Sequence, residues 1–354
     1  MSRRDRGQRF VTGSAIAAVA ALLCSNDGSL VIGAPSPSSL CTWQSDRLMH
    51  FSFQTVQFSP HFGADVSLAD VLAAASAGGF SSVGLDAWSV AAQVERGRTV
   101  AELTSMLEQM GLRCTDVLPL VVGDDTDAAV ESAGLLAALA TTIGASVCAT
   151  AIGPEVSDPG DRRAREGLRR CAEVLDAAGV RMAIEYLPYS CVASVAEAME
   201  LCDAVGWDAA GLLVDSWHTF VTGQVAALGA LSADDIALVQ YSDGVIPGPD
   251  KVREASRHHR RLPGRGEFDL AAFVEAVAAT GYTGIVSPEV LSAEVRSAPP
   301  APFAVDLHRA LHAQWGTARA RPALTALPDS SVDATPPRQD RRDDRVPTEP
   351  EKGR

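Results

Sequence analysis

Basic residues are scarce in this 354-residue chain: 30 Lys and Arg stand against 44 Asp and Glu, for a formal net charge of −14. A nucleic-acid surface needs clustered cations to meet phosphates, so this balance argues against one. An acidic surface aids solubility and also suits a divalent cation. Paired cysteines are missing too. The seven are Cys24, Cys41, Cys114, Cys148, Cys171, Cys191 and Cys202, and no two form a C-x-x-C pair. Several lie in apolar runs such as "GASVCATAI", where a thiol behaves as a small core residue. An odd number in a long chain points to a reduced, cytoplasmic protein rather than a disulfide framework. Aromatics are few, 5% against 47% hydrophobic residues, which suits one large soluble domain or two small ones.

The ends differ in composition from the middle. "MSRRDRGQRFVTGSAIAAVAALLCSNDGS" joins an arginine-rich start to an apolar stretch too short to span a bilayer. It resembles a secretion signal, yet no clean A-x-A cleavage site follows. Residues 1–48 are therefore expected to be an extension outside the fold or a signal-like segment. Residues 317–354, ending "PPRQDRRDDRVPTEPEKGR", are Pro-rich and charged and read as a disordered tail.

Residues 49–316 alternate short β-like runs with Ala-rich amphipathic stretches. The strand candidates are "FSFQTVQF", "SSVGLDAW", "RCTDVLPL", "SVCATAI", "RMAIEYL", "AGLLVDSW", "IALVQYSD" and "GIVSPEVL". They are continuous apolar runs, as expected of parallel strands buried on both faces. Several helical stretches between them end in Gly, a frequent helix stop. The pattern predicts a (β/α)₈ TIM barrel. A doubly wound sheet would want a Gly-rich phosphate turn after its first strand, and "QFSPHFGADVSLAD" has a single Gly there.

In such a barrel the C-terminal strand ends build the active site. Those ends carry Glu185 in "AIEYLP", Asp215 and His218 in "LLVDSWH", Gln240 and Asp243 in "LVQYSDG", and Glu289 in "VSPEVL". One such group alone reads as an exposed strand end. Four successive strands converging with oxygen donors suit a hard or borderline divalent ion, Mn²⁺, Mg²⁺ or Co²⁺.

With "GFSSVGLDAW", "AIEYLP", "GLLVDSWHTF", "LVQYSDG", "RRLPGRGEFDL" and "GYTGIVSPEVLS", residues 50–315 resemble the xylose-isomerase-like sugar phosphate isomerase/epimerase superfamily. The resemblance implies a metal held by Glu185, Asp215 and Glu289, with Gln240 where the family's usual His stands. It implies that His218 contacts substrate oxygen, the alternative being a histidine bonded within its loop. His61, Trp88 and Trp217 would line the substrate, although either Trp could equally be packing. In the loop "HHRRLPGRGEFDL", Arg260, Arg261 or Arg265 could reach the substrate, with Arg265 the chosen candidate and a solvated basic loop the alternative.

The implied chemistry is metal-dependent isomerisation or epimerisation of a small sugar or keto-polyol, through proton abstraction beside a carbonyl. Glu185, Glu289 and His218 would act as the acid–base groups. An inosose-type dehydratase or keto-sugar lyase on the same site is the alternative, and a non-catalytic sugar-binding barrel is another. No nucleic-acid or membrane partner is expected, and self-association is left open. Removal of residues 1–48 is expected to leave the melting temperature unchanged. Scanning calorimetry checks this, and a large loss of stability would place part of that segment in the fold.

Overall fold

The computed structural model describes residues 49–318. The expected extensions over 1–48 and 317–354 lie outside these residues, apart from the end of the last helix, Pro300–Ala318. Nine strands are present: β1 His50–Phe51, β2 Phe53–Gln54, β3 Ser82–Asp86, β4 Arg113–Val122, β5 Val147–Ile152, β6 Arg181–Glu185, β7 Ala210–Asp215, β8 Ile236–Gln240 and β9 Ile285–Ser287. They run parallel in the order β1-β9-β8-β7-β6-β5-β4-β3-β2. Only Ser52 separates β1 from β2. β1 pairs with β9 and β2 with β3, so one interrupted strand joins the two sides of the sheet. Ser52 N–H donates to Val286 O at 3.0 Å across that seam. Counting the interrupted strand once leaves eight positions, as in a TIM barrel.

Every strand candidate falls on an observed strand; most run a few residues past its end, and the first and last are cut shortest. "FSFQTVQF" stops pairing at Gln54 and becomes a 3₁₀ turn over Thr55–Phe58. The reason is the polar residues. Gln57 Nε2 donates to Gln54 O at 2.8 Å, and Thr55 Oγ1 and Ser59 Oγ each donate to Asp86 at 2.8 Å. The last strand stops before Pro288, which has no N–H to give a ladder.

Apolar residues on both strand faces separate two layers. Met182, Ile184, Leu212 and Val214 pack outward against the helices. Ala183, Leu213 and Leu238 point inward with Val147, Ala149 and Leu291. Since side chains alternate, the residues two further on, Glu185, Asp215 and Gln240, also face the barrel axis at its C-terminal mouth. The helices between are Ala-rich and capped. Thr99 and Glu102 form a capping box, and Gly144 at φ 78° ends the helix Thr126–Ile143.

The five described cysteines are free, and four of them are buried. Burial pushes Cys148 and Cys202 up to about 12 and Cys171 up to about 11, which leaves them inert core thiols.

Asp116 on β4 is a buried carboxyl with neutral partners. Thr115 Oγ1 donates to it at 2.7 Å and Gln54 Nε2 at 2.5 Å. Gly84 makes room, because a Cβ there would lie 2.5 Å from both Asp116 Oδ2 and Gln54 Nε2. Burial pushes Asp116 up to about 6. The folded state thus holds this proton more tightly than the unfolded chain. Its contribution favours folding at low pH and is lost as pH rises from about 4 to about 6. Asp116→Asn is expected to flatten that dependence and to raise stability above pH 6 by roughly 1–3 kcal/mol. Denaturant unfolding at pH 5 and pH 8 checks it, and equal effects at both values would contradict it.

Candidate active site

Asp215 closes β7 and caps the short helix Ser216–Val221. Its Oδ1 accepts from Trp217 N–H at 2.6 Å and His218 N–H at 3.2 Å. The capping turn brings His218 back over the barrel mouth. His218 Nε2 lies 3.2 Å from Glu185 Oε1 and 3.9 Å from Asp215 Oδ2. One donor atom from each of these three residues falls within 4.8 Å of the others, an arrangement that could hold a metal ion. Asp215 and His218 are buried, whereas the Glu185 side chain is 17% exposed and is the open face of the cluster.

Glu289 lies two residues beyond β9. Its N–H donates to Tyr241 O at 3.2 Å, which turns the chain inward after Pro288. Gln240 Nε2 donates to Glu289 Oε1 at 3.2 Å, and Gln240 Oε1 is buried without a partner. Burial pushes the Glu289 carboxyl up to about 8. Arg260 opposes that shift, while Glu185 and Asp215 reinforce it. At Asp215 burial also disfavours the charge, but Arg260 and His218 outweigh it and hold the carboxyl below its usual range.

Arg260 is the buried cation of the site. Its Nη1 donates to Asp215 Oδ2 at 2.7 Å and lies 3.2 Å from Glu289 Oε2. Its Nη2 lies 3.2 Å from His218 Nε2, its Nε donates to Ser256 O at 2.8 Å, and the guanidinium sits 5.5 Å above the Trp217 ring. An antiparallel bridge pairs Arg261 with Asp243, and Arg260 N–H donates to Leu291 O. Alternation along that extended segment sends Arg261 out and Arg260 in.

The donor set fits a divalent ion. Glu185, Asp215 and His218 bring two carboxylates and an imidazole together, Asp215 and Glu289 share the Arg260 guanidinium, and Gln240 offers a buried, unused amide oxygen. Oxygen-rich donors with one nitrogen suit hard or borderline ions.

Residues 71–311 match the family model of the xylose isomerase-like TIM barrel. The chain belongs to that family. Among curated proteins, this xylose isomerase-like barrel is 36% identical over 148 residues to a 3-dehydroshikimate dehydratase of Pseudomonas aeruginosa, covering 41% of this chain and 23% of that protein. It is 26% identical over 136 residues to an inosose isomerase of Bacillus subtilis, covering 36% of this chain and 46% of that one. The chain thus spans about a quarter of the dehydratase and under half of the isomerase. Among solved structures, a xylose isomerase-like TIM barrel/4-hydroxyphenylpyruvate dioxygenase fusion protein superposes with a TM-score of 0.68 at 25% identity, over 77% of this chain and 44% of that one. The IolI protein with a bound zinc atom superposes with a TM-score of 0.66 at 15% identity, over 76% and 99%, which speaks to the fold alone.

The other expected residues of this xylose isomerase-like site divide by burial. Half-buried His61 and Trp88 stack at the mouth with ring centroids 4.0 Å apart. Trp217 is 1% exposed and lies under Arg260, so it supports the guanidinium rather than offering a face to substrate. Arg265 is exposed on a turn where its N–H donates to Leu262 O, and Arg260 takes the place in the cluster instead. Asp243 is structural: its carboxylate accepts N–H bonds from Gly244, Gly264, Gly266 and Phe268 at 2.8–3.2 Å. Gly266 is required there, since a Cβ would lie 2.1 Å from Asp243 Oδ1.

Removing the Arg260 side chain leaves Asp215 and Glu289 buried beside each other without a counter-charge. Arg260→Ala is expected to cost about 3–5 kcal/mol of folding stability. Arg260→Lys, which keeps the charge, should cost less. Urea denaturation of both variants decides it, and a loss under 1 kcal/mol for the alanine variant would refute the electrostatic role.

Proposed function

We propose that this barrel is a divalent-metal-dependent acid–base enzyme acting on a small sugar or cyclic keto-polyol. It would take a proton from the carbon beside a carbonyl and expel the β-hydroxyl as water. The observation that carries this reading is the 3.2 Å contact between Glu185 and His218 inside the carboxylate cluster. Elimination needs one group to accept a proton and another to give one. Glu185, the partly exposed carboxylate, takes the α-proton. His218, in its protonated form, gives one to the departing hydroxyl. The double bond and water form together, and Glu185 then returns its proton to His218 across their contact. A divalent ion, Mn²⁺, Mg²⁺ or Co²⁺, held by Glu185, Asp215, Glu289 and the oxygen of Gln240, would polarise the carbonyl and offset the charge developing on its oxygen. Arg260 fixes Asp215 and Glu289 so that neither drifts from the mouth.

The similarity to a 3-dehydroshikimate dehydratase favours elimination. A second reading uses the same pair without loss of the hydroxyl. Returning the proton to a neighbouring carbon or to the opposite face gives isomerisation or epimerisation, and the likeness to an inosose isomerase supports it. No helix among the described residues is long and apolar enough to cross a membrane. The free thiols suit a reducing compartment, and we assign the protein to the cytoplasm.

Glu185→Gln keeps shape but cannot accept a proton. It is expected to fold normally by circular dichroism and to bind Mn²⁺ more weakly. Uptake of solvent deuterium at the α-carbon of a keto-polyol should slow by roughly two to four orders of magnitude. Exchange at the wild-type rate would return Glu185 to an ordinary strand end.

A further inference from the structure

In this acidic chain two short segments have the opposite charge, residues 162–170 and, next to the barrel mouth, residues 251–261. Residues 251–261 hold five Lys and Arg and one acid, Glu254. Glu254 faces His259 at 3.7 Å and leaves the arginines alone. Arg260 is used inside the carboxylate cluster. Arg257 and, beyond β9, Arg296 form no ion pair with any carboxylate among the described residues.

Arg296 is the more telling of the two. Its guanidinium is half-buried and lies 5.2 Å over the Phe62 ring. Its Nη2 meets His258 Nδ1 at 2.7 Å and Arg257 O at 3.2 Å, and its Nη1 is buried with no partner. Burial lowers its pKa, the mark of a cation taken out of water without a counter-ion. His61 lies in the same neighbourhood. Burial and then the charge of Arg257 hold it below its ordinary value, and its Nδ1 is also buried without a partner.

The topology fixes where this group stands. His61 follows the interrupted first strand, Arg257 follows β8 and Arg296 follows β9, three adjacent positions around the barrel. Glu185 ends β6, two positions from β8, three from β9 and four from the first strand, so the arginines stand part-way round the mouth from it. A ligand seated in the opening with one end over Glu185 would turn its other end towards these arginines.

We propose that this rim is a carboxylate subsite in which Arg257 and Arg296 receive an anionic group of the substrate. Resting on the acid–base reading, this narrows the substrate class to hydroxy ketones that carry a carboxylate. The planar fork of arginine matches a carboxylate with paired hydrogen bonds. An incoming anion would also give Arg296 the counter-charge that the protein withholds.

The test is calorimetric titration with 3-oxocyclohexanecarboxylate, its neutral carboxamide, and cyclohexyl phosphate. Wild-type protein is expected to bind the carboxylate at least about tenfold tighter than the amide, with an affinity that falls as salt is raised. Arg257→Gln and Arg296→Gln should each lose roughly tenfold for the carboxylate and little for the amide. Glu185→Gln should keep the preference, so the subsite is tested apart from the chemistry. Equal binding of acid and amide by wild type would overturn the proposal without recourse to any variant, as would phosphate binding more tightly than carboxylate. Failure of the Glu185 deuterium experiment would instead sink the acid–base reading and leave this comparison untouched.

Discussion

The guanidinium of Arg260 lies among Asp215, Glu289 and His218, and the rest of the mouth is arranged around that contact. Two buried carboxyl groups with a third, Glu185, close by repel one another and lose hydration. One fixed cation lowers the cost without closing the site, because Glu185 stays on the open side. Arg260 is itself held by Ser256, by the backbone of Leu291 and by the Trp217 ring. That support explains a fully buried tryptophan beneath a buried charge.

Asp215 shows how economically the site uses its groups. One oxygen caps the helix Ser216–Val221 and the other meets Arg260. The helix start therefore cannot shift without moving the ion pair, and His218 is carried with it. Asp243, one strand on, uses its whole carboxylate to gather backbone N–H groups of the Pro-Gly turn. That turn in turn sets the extended segment from which Arg260 reaches inward. Two aspartates in like positions thus have different work, one inside the carboxylate cluster and one beneath the loop that supports it.

The barrel and much of the cluster were legible in the sequence, for a physical reason. Continuous apolar runs announce buried parallel strands, and a polar residue two positions past an inward Ala or Leu must share its direction. Glu185, Asp215 and Gln240 follow from that rule. Glu289 does not, since Pro288 ends the strand first and a bond to Tyr241 O turns the chain. Arg260 was one of three arginines in a long loop. Only the antiparallel bridge between Asp243 and Arg261, a contact across eighteen residues of chain, decides which arginine turns in. Trp217 and Asp243 looked like site residues because they neighbour strand ends; burial under Arg260 reveals the supporting part of the one, and four accepted N–H bonds that of the other. The first strand was read too long because Thr55 and Ser59 find a partner in Asp86 rather than in a ladder.

The interrupted first strand also bears on how the chain comes together in time. Its second half can pair with β3 as soon as that strand has emerged, but its first half waits for β9. Ser287 Oγ reaches Ser52 O across a sequence separation of 235 residues. Until synthesis passes that point the sheet is an open ribbon with an unsatisfied edge at each side. Contacts so distant along the chain slow closure and leave those edges exposed to other chains in the meantime. Splitting the strand at Ser52 divides the task, so that the early pairing is kept while the seam is left for the last element of the barrel.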